Sequence, residues 1–271
     1  MNAPQTSNYY PKKRWKHFRN RIKKDEISPS IISVSESTSE EKAVFICNTY
    51  LHLATAIGWF IALEVFLLKF GVAQMVIDGF IAVGRGFIFV FLALIILLWL
   101  FFSFVKLLIE SESSKEQYIG FGMRVFVSSF IFAPLLSLYE KNYGIELILE
   151  AGIITIGLSL GITAVAFLTH KDFSFLLPIL VISCFLTIGF FITGIIFRFS
   201  IQNVVALILV ALAAGWMLYE TSKVLHRYQI NQHVAASIAL FSSIEFLFLA
   251  ILRSYRTSSS IQNYKNDSNA Q

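Results

Sequence analysis

Long apolar stretches separated by short polar segments run through most of the chain. Three of these stretches, residues 86–105, 173–197 and 199–219, contain no charged side chain at all. A helix needs about 20 apolar residues to cross the hydrocarbon core of a bilayer. The pattern predicts seven membrane-spanning helices, at about residues 43–70, 79–107, 119–139, 144–169, 174–197, 201–226 and 233–254.

The residues before the first predicted span carry a linker signal and a helix-start signal. Residues 28–39 are rich in serine and include Pro29, which is typical of a flexible linker. Thr38 and Glu41 have the spacing of a capping box directly before an apolar run, so a helix is expected to begin near Glu40.

Composition supports an all-α integral membrane protein with a seven-helix bundle. Hydrophobic types make up 56% of the 271 residues and charged types 14%, whereas soluble domains carry about 25% charged residues. We expect three segments: a basic, Ser-rich cytoplasmic tail at 1–42, the transmembrane domain at 43–255 and a polar C-terminal tail at 256–271.

The positive charge is concentrated in the N-terminal tail. Apolar Trp15, Phe18 and Ile22 recur there at helical spacing, which favours a basic amphipathic helix lying on anionic lipid headgroups. A disordered tail that only fixes membrane orientation fits equally well. Nucleic-acid binding is not favoured, because no base-reading module follows. The basic residues are Lys12, Lys13, Arg14, Lys16, Arg19, Arg21, Lys23 and Lys24.

The distribution of Lys and Arg predicts a cytoplasmic N-terminus. With the N-terminus inside, cytoplasmic segments hold 14 Lys and Arg and the opposite side holds 6. Residue usage rich in Ile, Phe and Asn favours a bacterial inner membrane. The bilayer is then the first partner of the chain.

Four segments together resemble the Bax inhibitor-1 family over about residues 43–254. Residues 215–226 read Gly-Trp-Met-Leu-Tyr-Glu-Thr-Ser-Lys-Val-Leu-His, and residues 239–253 end in Phe-Leu-Ala-Ile-Leu-Arg. The supporting stretches are Asn-Thr-Tyr-Leu at 48–51 and Thr-His-Lys-Asp-Phe at 169–173, which is similar to the family's Thr-Lys-Lys-Asp-Phe.

This resemblance implies a seven-helix membrane protein associated with a pH-sensitive calcium leak and, in eukaryotes, with suppression of cell death. Bacterial members include a branch linked to regulation of a membrane-bound protease. Two acids, one in each of the last two spans, share a proton in the family's sensor. The first maps onto Glu220 and the second onto Ser243, with Glu245 two residues later. Two residues are about 200° on a helix, so Glu245 is expected to point away from the family's second acid.

Ionisable groups inside the predicted spans are functional candidates, because exposing them to lipid costs a few kcal/mol. Glu220 is expected at the depth of Arg124 and Lys106. A pair with either base would act as a pH gate or as a static structural ion pair. Glu245 lies near mid-span, where no base is expected at its depth.

Further acids and bases are expected on the opposite side of the membrane. Glu64 and Arg85 flank a predicted turn near Gln74 and should meet across that hairpin. Glu146 and Glu150 begin the fourth predicted span, where they either attract cations or complement the helix dipole.

Small residues in two spans are expected to allow close packing of helices. They are Gly157 and Gly161 in the fourth span, and Ala211, Ala214 and Gly215 in the sixth.

No motif indicates an enzyme, a metal site or a bound cofactor. The histidines show no zinc-ligand spacing, nucleotide-binding motifs are absent, and no nucleophile has a base at a defined spacing. Calcium enters only as a transported ion.

Two functional hypotheses follow. The first is a pH-gated cation leak with Glu220 at the gate and Glu245 in the pathway. The second is a membrane regulator that binds a quality-control protease or a cell-death factor, with the basic tail as a docking element.

Overall fold

The computed structural model describes residues 33–83, 87–111, 113–169, 171–197 and 202–269, and almost all of them are helical. Eight α-helices and one 3-10 turn, Ile230–Gln232, are found in these ranges. The helices are α1 (Ser39–Lys69), α2 (Val72–Ala82), α3 (Phe87–Ile109), α4 (Ser114–Tyr143), α5 (Ile145–Thr169), α6 (Leu176–Phe197), α7 (Gln202–His226) and α8 (His233–Asn269).

Seven of these helices are long and apolar enough to cross a membrane, which confirms the predicted all-α bundle. They are α1 and α3 to α8. The predicted limits need two corrections near the first hairpin. The second span was expected at 79–107, but residues 79–82 belong to α2 and the spanning helix is α3. Residues 71–79 are expected to form a turn, but most of them lie in α2. The 11 residues of α2 extend only about 16 Å along the helix axis, which is too short to cross the hydrocarbon core of a bilayer. The break between α1 and α2 lies at Gly71, where φ is 70°, and Ala73 packs against α1 and α4.

Helix α8 occupies the centre of the bundle. It packs against α7, α1, α5 and α4, whereas α3 contacts mainly α4 and α6 contacts mainly α7. Leu240, Leu247 and Leu252 of α8 are completely buried, while Phe89 and Trp99 of α3 are exposed on the lipid-facing surface. A polar group on the inner part of α8 is therefore enclosed by protein on most sides.

The first described residues are anchored to the bundle. The amide of Val34 donates to the carbonyl of Tyr228 at 2.8 Å, and the Val34 side chain is 1% exposed. The flexible-linker prediction is therefore wrong at this end of the linker. The capping box is confirmed, since Thr38 and Glu41 exchange both hydrogen bonds and the helix begins at Ser39. The basic tail and its predicted amphipathic helix lie outside the described residues.

The small residues behave differently in the two spans. Gly215 is tightly packed, because a Cβ there would lie 2.9 Å from Cδ2 of Leu180. Gly157 and Gly161 are exposed, and a Cβ at either meets nothing within 4 Å. The packing prediction is therefore confirmed for Gly215. It is wrong for the two glycines of α5 and for Ala211, which is exposed.

Helices α3 and α4 approach each other closely at Gly120. A Cβ at this residue would lie 2.9 Å from Cγ1 of Ile109 and 3.2 Å from its backbone nitrogen. Gly122, two residues along the same helix, has nothing within 4 Å of its Cβ position.

We predict that Gly120→Ala and Gly122→Ala have different effects on thermal stability. Overpacking against backbone costs about 1–3 kcal/mol, so Gly120→Ala should lower the midpoint of thermal unfolding in detergent. Gly122→Ala should leave it unchanged or raise it, because alanine favours a helix by about 1 kcal/mol over glycine. Equal shifts in the two variants would contradict the close approach of α3 and α4.

Candidate functional site

A buried ion pair joins α4 to α8. Nη2 of Arg124 lies 2.8 Å from Oε2 of Glu245, and the same nitrogen donates to Oγ of Ser242 at 3.0 Å. The two charged side chains are 15% and 8% exposed. The guanidinium carbon also lies 4.9 Å from the centroid of the Phe102 ring of α3. The expectation that no base shares the depth of Glu245 is therefore wrong.

A second carboxylate faces this pair from α1. Glu64 is 5% exposed and interacts electrostatically with Glu245. Neither oxygen of Glu64 accepts a hydrogen bond from any described residue, and Oε1 of Glu245 is also without a donor. Arg85, the partner predicted for Glu64, lies outside the described residues. Three helices thus bring together two carboxylates and one guanidinium.

Two cavities meet at the ion pair. The first, here called the end cavity, has a volume of about 450 Å³ and is lined by parts of α3, α4, α7 and α8, including Lys106, Glu110 and Arg124. The second, here called the lateral cavity, has a volume of about 320 Å³ and is lined by α1, α4, α5 and α8, including Glu64 and Glu245. Because the two partners line different cavities, the Arg124–Glu245 pair lies between them.

Glu220 has a different partner from either base that the sequence suggested. It is buried in α7, and its Oε2 lies 3.2 Å from Nζ of Lys223, one turn further along. Lys106 pairs with Glu110 at 3.7 Å, and both of these side chains are exposed. The predicted pairs of Glu220 with Arg124 or Lys106 are wrong, because each base has a closer acid elsewhere.

The cation of Lys223 is also held by aromatic rings. Its Nζ lies 5.2 Å from the ring centroid of Tyr228 and 5.9 Å from that of Tyr219. Burial raises the pKa of Tyr228, so this phenol stays neutral and presents its ring to the ammonium. Lys223 and Tyr228 both line the end cavity. The Glu220–Lys223 pair thus lies beside that cavity.

Ser243, onto which the resemblance maps the family's second acid, is buried and donates its hydroxyl to the carbonyl of Ala239 at 2.9 Å. Its hydrogen-bonding capacity is therefore met within α8. Glu245 points elsewhere on the helix, as expected from the 200° rotation, but it is not directed to lipid. Glu245 avoids lipid because α8 is surrounded by other helices, and the sequence pattern did not reveal this central position.

The remaining predicted acids lie away from this site. Glu146 and Glu150 are exposed in the first turns of α5 and line neither cavity. A Cβ at Gly144 would lie 2.6 Å from Oε2 of Glu146, so this carboxylate folds back over the start of its own helix. This position matches the dipole interpretation.

The segment before α6 is attached to the end of α7. The amide of Phe173 donates to Oγ of Ser222 at 2.8 Å, and Asp172 lies 3.6 Å from Arg227. A hydrogen bond from the Ser174 hydroxyl holds the pKa of Asp172 below its usual value. These contacts give a structural role to the Lys-Asp-Phe part of the sequence motif.

Two histidines that are distant in sequence come together. The rings of His52 in α1 and His233 in α8 have centroids 5.0 Å apart, and Tyr118 stacks on His52. Within the part of the chain that the structure describes, no three His, Cys, Asp or Glu side chains are arranged to hold a metal ion.

Comparison with known proteins places these features in a family. The family model described as "Inhibitor of apoptosis-promoting Bax1" matches residues 42–260. An uncharacterized protein of Pseudomonas aeruginosa is 29% identical over 166 residues, which are 60% of this chain and 72% of that protein.

Two eukaryotic relatives match a shorter part of the chain. Protein LIFEGUARD 4 of Arabidopsis thaliana is 31% identical and protein lifeguard 4 of Mus musculus is 30% identical, each over 118 residues. Each match covers 41% of this chain and 47% of the relative. Because the family model covers most of the sequence and seven helices are suited to a membrane, the chain belongs to the Bax inhibitor-1 family of multi-pass membrane proteins.

Proposed function

We propose that this protein is a pH-sensitive cation leak, with calcium as the first candidate ion, and that the Arg124–Glu245 pair is its gate. The observation that carries this proposal is the place of the pair between the end cavity and the lateral cavity. Opening the pair would join the two cavities inside the bundle.

The charges at the site support a role beyond holding helices together. Charged groups are costly at membrane depth, and a structural ion pair needs only one acid and one base. Here Glu64 adds a second carboxylate beside Glu245 with no described hydrogen-bond donor. Carboxylate oxygens are the ligands that Ca²⁺ prefers. Glu64, the second acid, therefore provides a site where a cation can bind.

The proposed gating step is the protonation of Glu245. A neutral Glu245 no longer attracts Arg124, whose side chain can move toward Glu110 in the end cavity. Glu64 then faces the opened path. The leak should therefore increase as the pH falls, with Glu220 and Lys223 as a second proposed control point beside the end cavity.

The pair should hold the closed state together. We predict that Arg124→Gln lowers the free energy of unfolding by roughly 3 kcal/mol, because an uncompensated charge stays buried. Adding Glu245→Leu to this variant should recover most of the loss.

The control is Lys106→Gln, whose pair with Glu110 is exposed and should contribute about 0–1 kcal/mol. Thermal unfolding in detergent at pH 7 gives the order of the variants, and equal losses for Arg124→Gln and Lys106→Gln would contradict a buried pair.

Calcium flux into liposomes tests the leak directly. Across pH 5 to 8, the wild type should leak more at the acidic end, and Glu245→Gln should leak at every pH because it resembles the protonated state. Glu64→Gln should leak less, since one carboxylate of the path is lost. Glu40→Gln removes an exposed acid in the first turn of α1 and should behave as the wild type does.

Two results would overturn this assignment. A pH response lost in Glu220→Gln but kept in Glu245→Gln would place the gate at Glu220 and Lys223. If the folded protein shows no calcium flux at any pH, the leak proposal is rejected. The second hypothesis, a regulator of a membrane protease or cell-death factor, is then favoured. Partner recovery with and without residues 1–42 would then test the tail as a docking element.

A further inference from the structure

The lateral cavity opens toward the lipid rather than only toward the ends of the bundle. It runs between α1, α5 and α8 from the level of Leu68 and Ile145 to that of Ile57 and Ile156. Side chains along its edges are exposed on the membrane-facing surface, with Leu149 59% and Ile153 71% exposed. A molecule dissolved in the bilayer can therefore enter it from the side.

The interior of this cavity combines apolar walls with unsatisfied acids. Among the described residues that line it, the polar side chains are those of Glu64, Glu245 and Thr155. The Thr155 hydroxyl already donates to the carbonyl of Ala151. Both oxygens of Glu64 and Oε1 of Glu245 lack a hydrogen-bond donor among the described residues. Buried carboxyl groups without donors are costly, so the cavity favours a guest that supplies N–H groups.

We propose that the lateral cavity is a binding site for a lipophilic primary amine, a single hydrocarbon chain with an ammonium head. An ammonium offers three N–H donors, which match the free oxygens of Glu64 and Glu245. The chain lies along the walls formed by α1 and α5. This site does not depend on the proposed leak, because it needs only the cavity and its acids.

The same chemistry disfavours two common kinds of membrane molecule, fatty acids and phosphocholine lipids. A fatty acid carries a carboxylate, which has no N–H or O–H group to donate to the oxygens of Glu64 and Glu245. A phosphocholine head has no N–H donor. The hydrocarbon chain gains little, because it leaves apolar lipid for an apolar cavity. Selectivity therefore rests on the contact between the ammonium and the carboxylates, and a neutral alcohol of equal length is the matched control ligand.

The experiment uses the full chain in lipid nanodiscs at pH 7, without a calcium gradient. The probe is hexadecylamine with a photoreactive diazirine in its chain, and cross-links are mapped by mass spectrometry. We expect labelling of residues 145–156 and 57–68. Competing dodecylamine should reduce it roughly tenfold more effectively than dodecanol, as a charge-assisted hydrogen bond implies. Equal competition by amine and alcohol would overturn the proposal.

Two glycines of α5 provide a matched pair of variants. Gly152 lines the lateral cavity and Gly157 does not, and a Cβ at either meets nothing within 4 Å. Gly152→Leu should fill the cavity and abolish labelling, whereas Gly157→Leu should leave it unchanged. Glu64→Gln should remove the preference for amine over alcohol. Equal labelling of the two leucine variants would overturn the site, and because no flux is measured, failure of the leak alone would leave these results intact.

Discussion

The contact between Arg124 and Glu245 is the constraint around which the bundle is organised. Two charges held 2.8 Å apart inside the protein are stable there only because each is the partner of the other. The pair links α4 to α8, and α8 in turn contacts most of the bundle. A small change of charge at one carboxylate therefore acts on the helix that the other helices depend on.

Glu64 adds a second acidic group beside the ion pair. A lone ion pair would satisfy its own electrostatics, but the second carboxylate has no donor among the described residues. Such a group gains from any cation that reaches it, whether a metal ion or an ammonium. The proposed leak and the proposed lipophilic amine site both follow from this second acid. A metal cation would reach it along the bundle, and an amine would reach it from the lipid.

Sequence predicted the helices well, because membrane crossing depends on local apolar length and each helix satisfies its own backbone. The start of α1 followed from the local capping box at Thr38. The pairings were not predictable in this way. Arg124 and Glu245 are 121 residues apart, so their contact depends on which helices are neighbours and how each is rotated. The same reason explains why Gly157 and Gly161, spaced as in packed helices, face outward.

The position of the acid on α8 sets this chain apart from the sensor that its sequence resembles. Residues 243 and 245 point to nearly opposite sides of the helix, about 200° apart. Because this chain has serine at 243 and glutamate at 245, its acid lies on the face of α8 opposite Ser243. That face is directed toward α1 and α4, where Glu64 and Arg124 lie. A two-residue shift on a peripheral helix would place the acid in lipid. On the central helix it exchanges one set of protein neighbours for another, and the second carboxylate beside Glu245 is then Glu64 of α1.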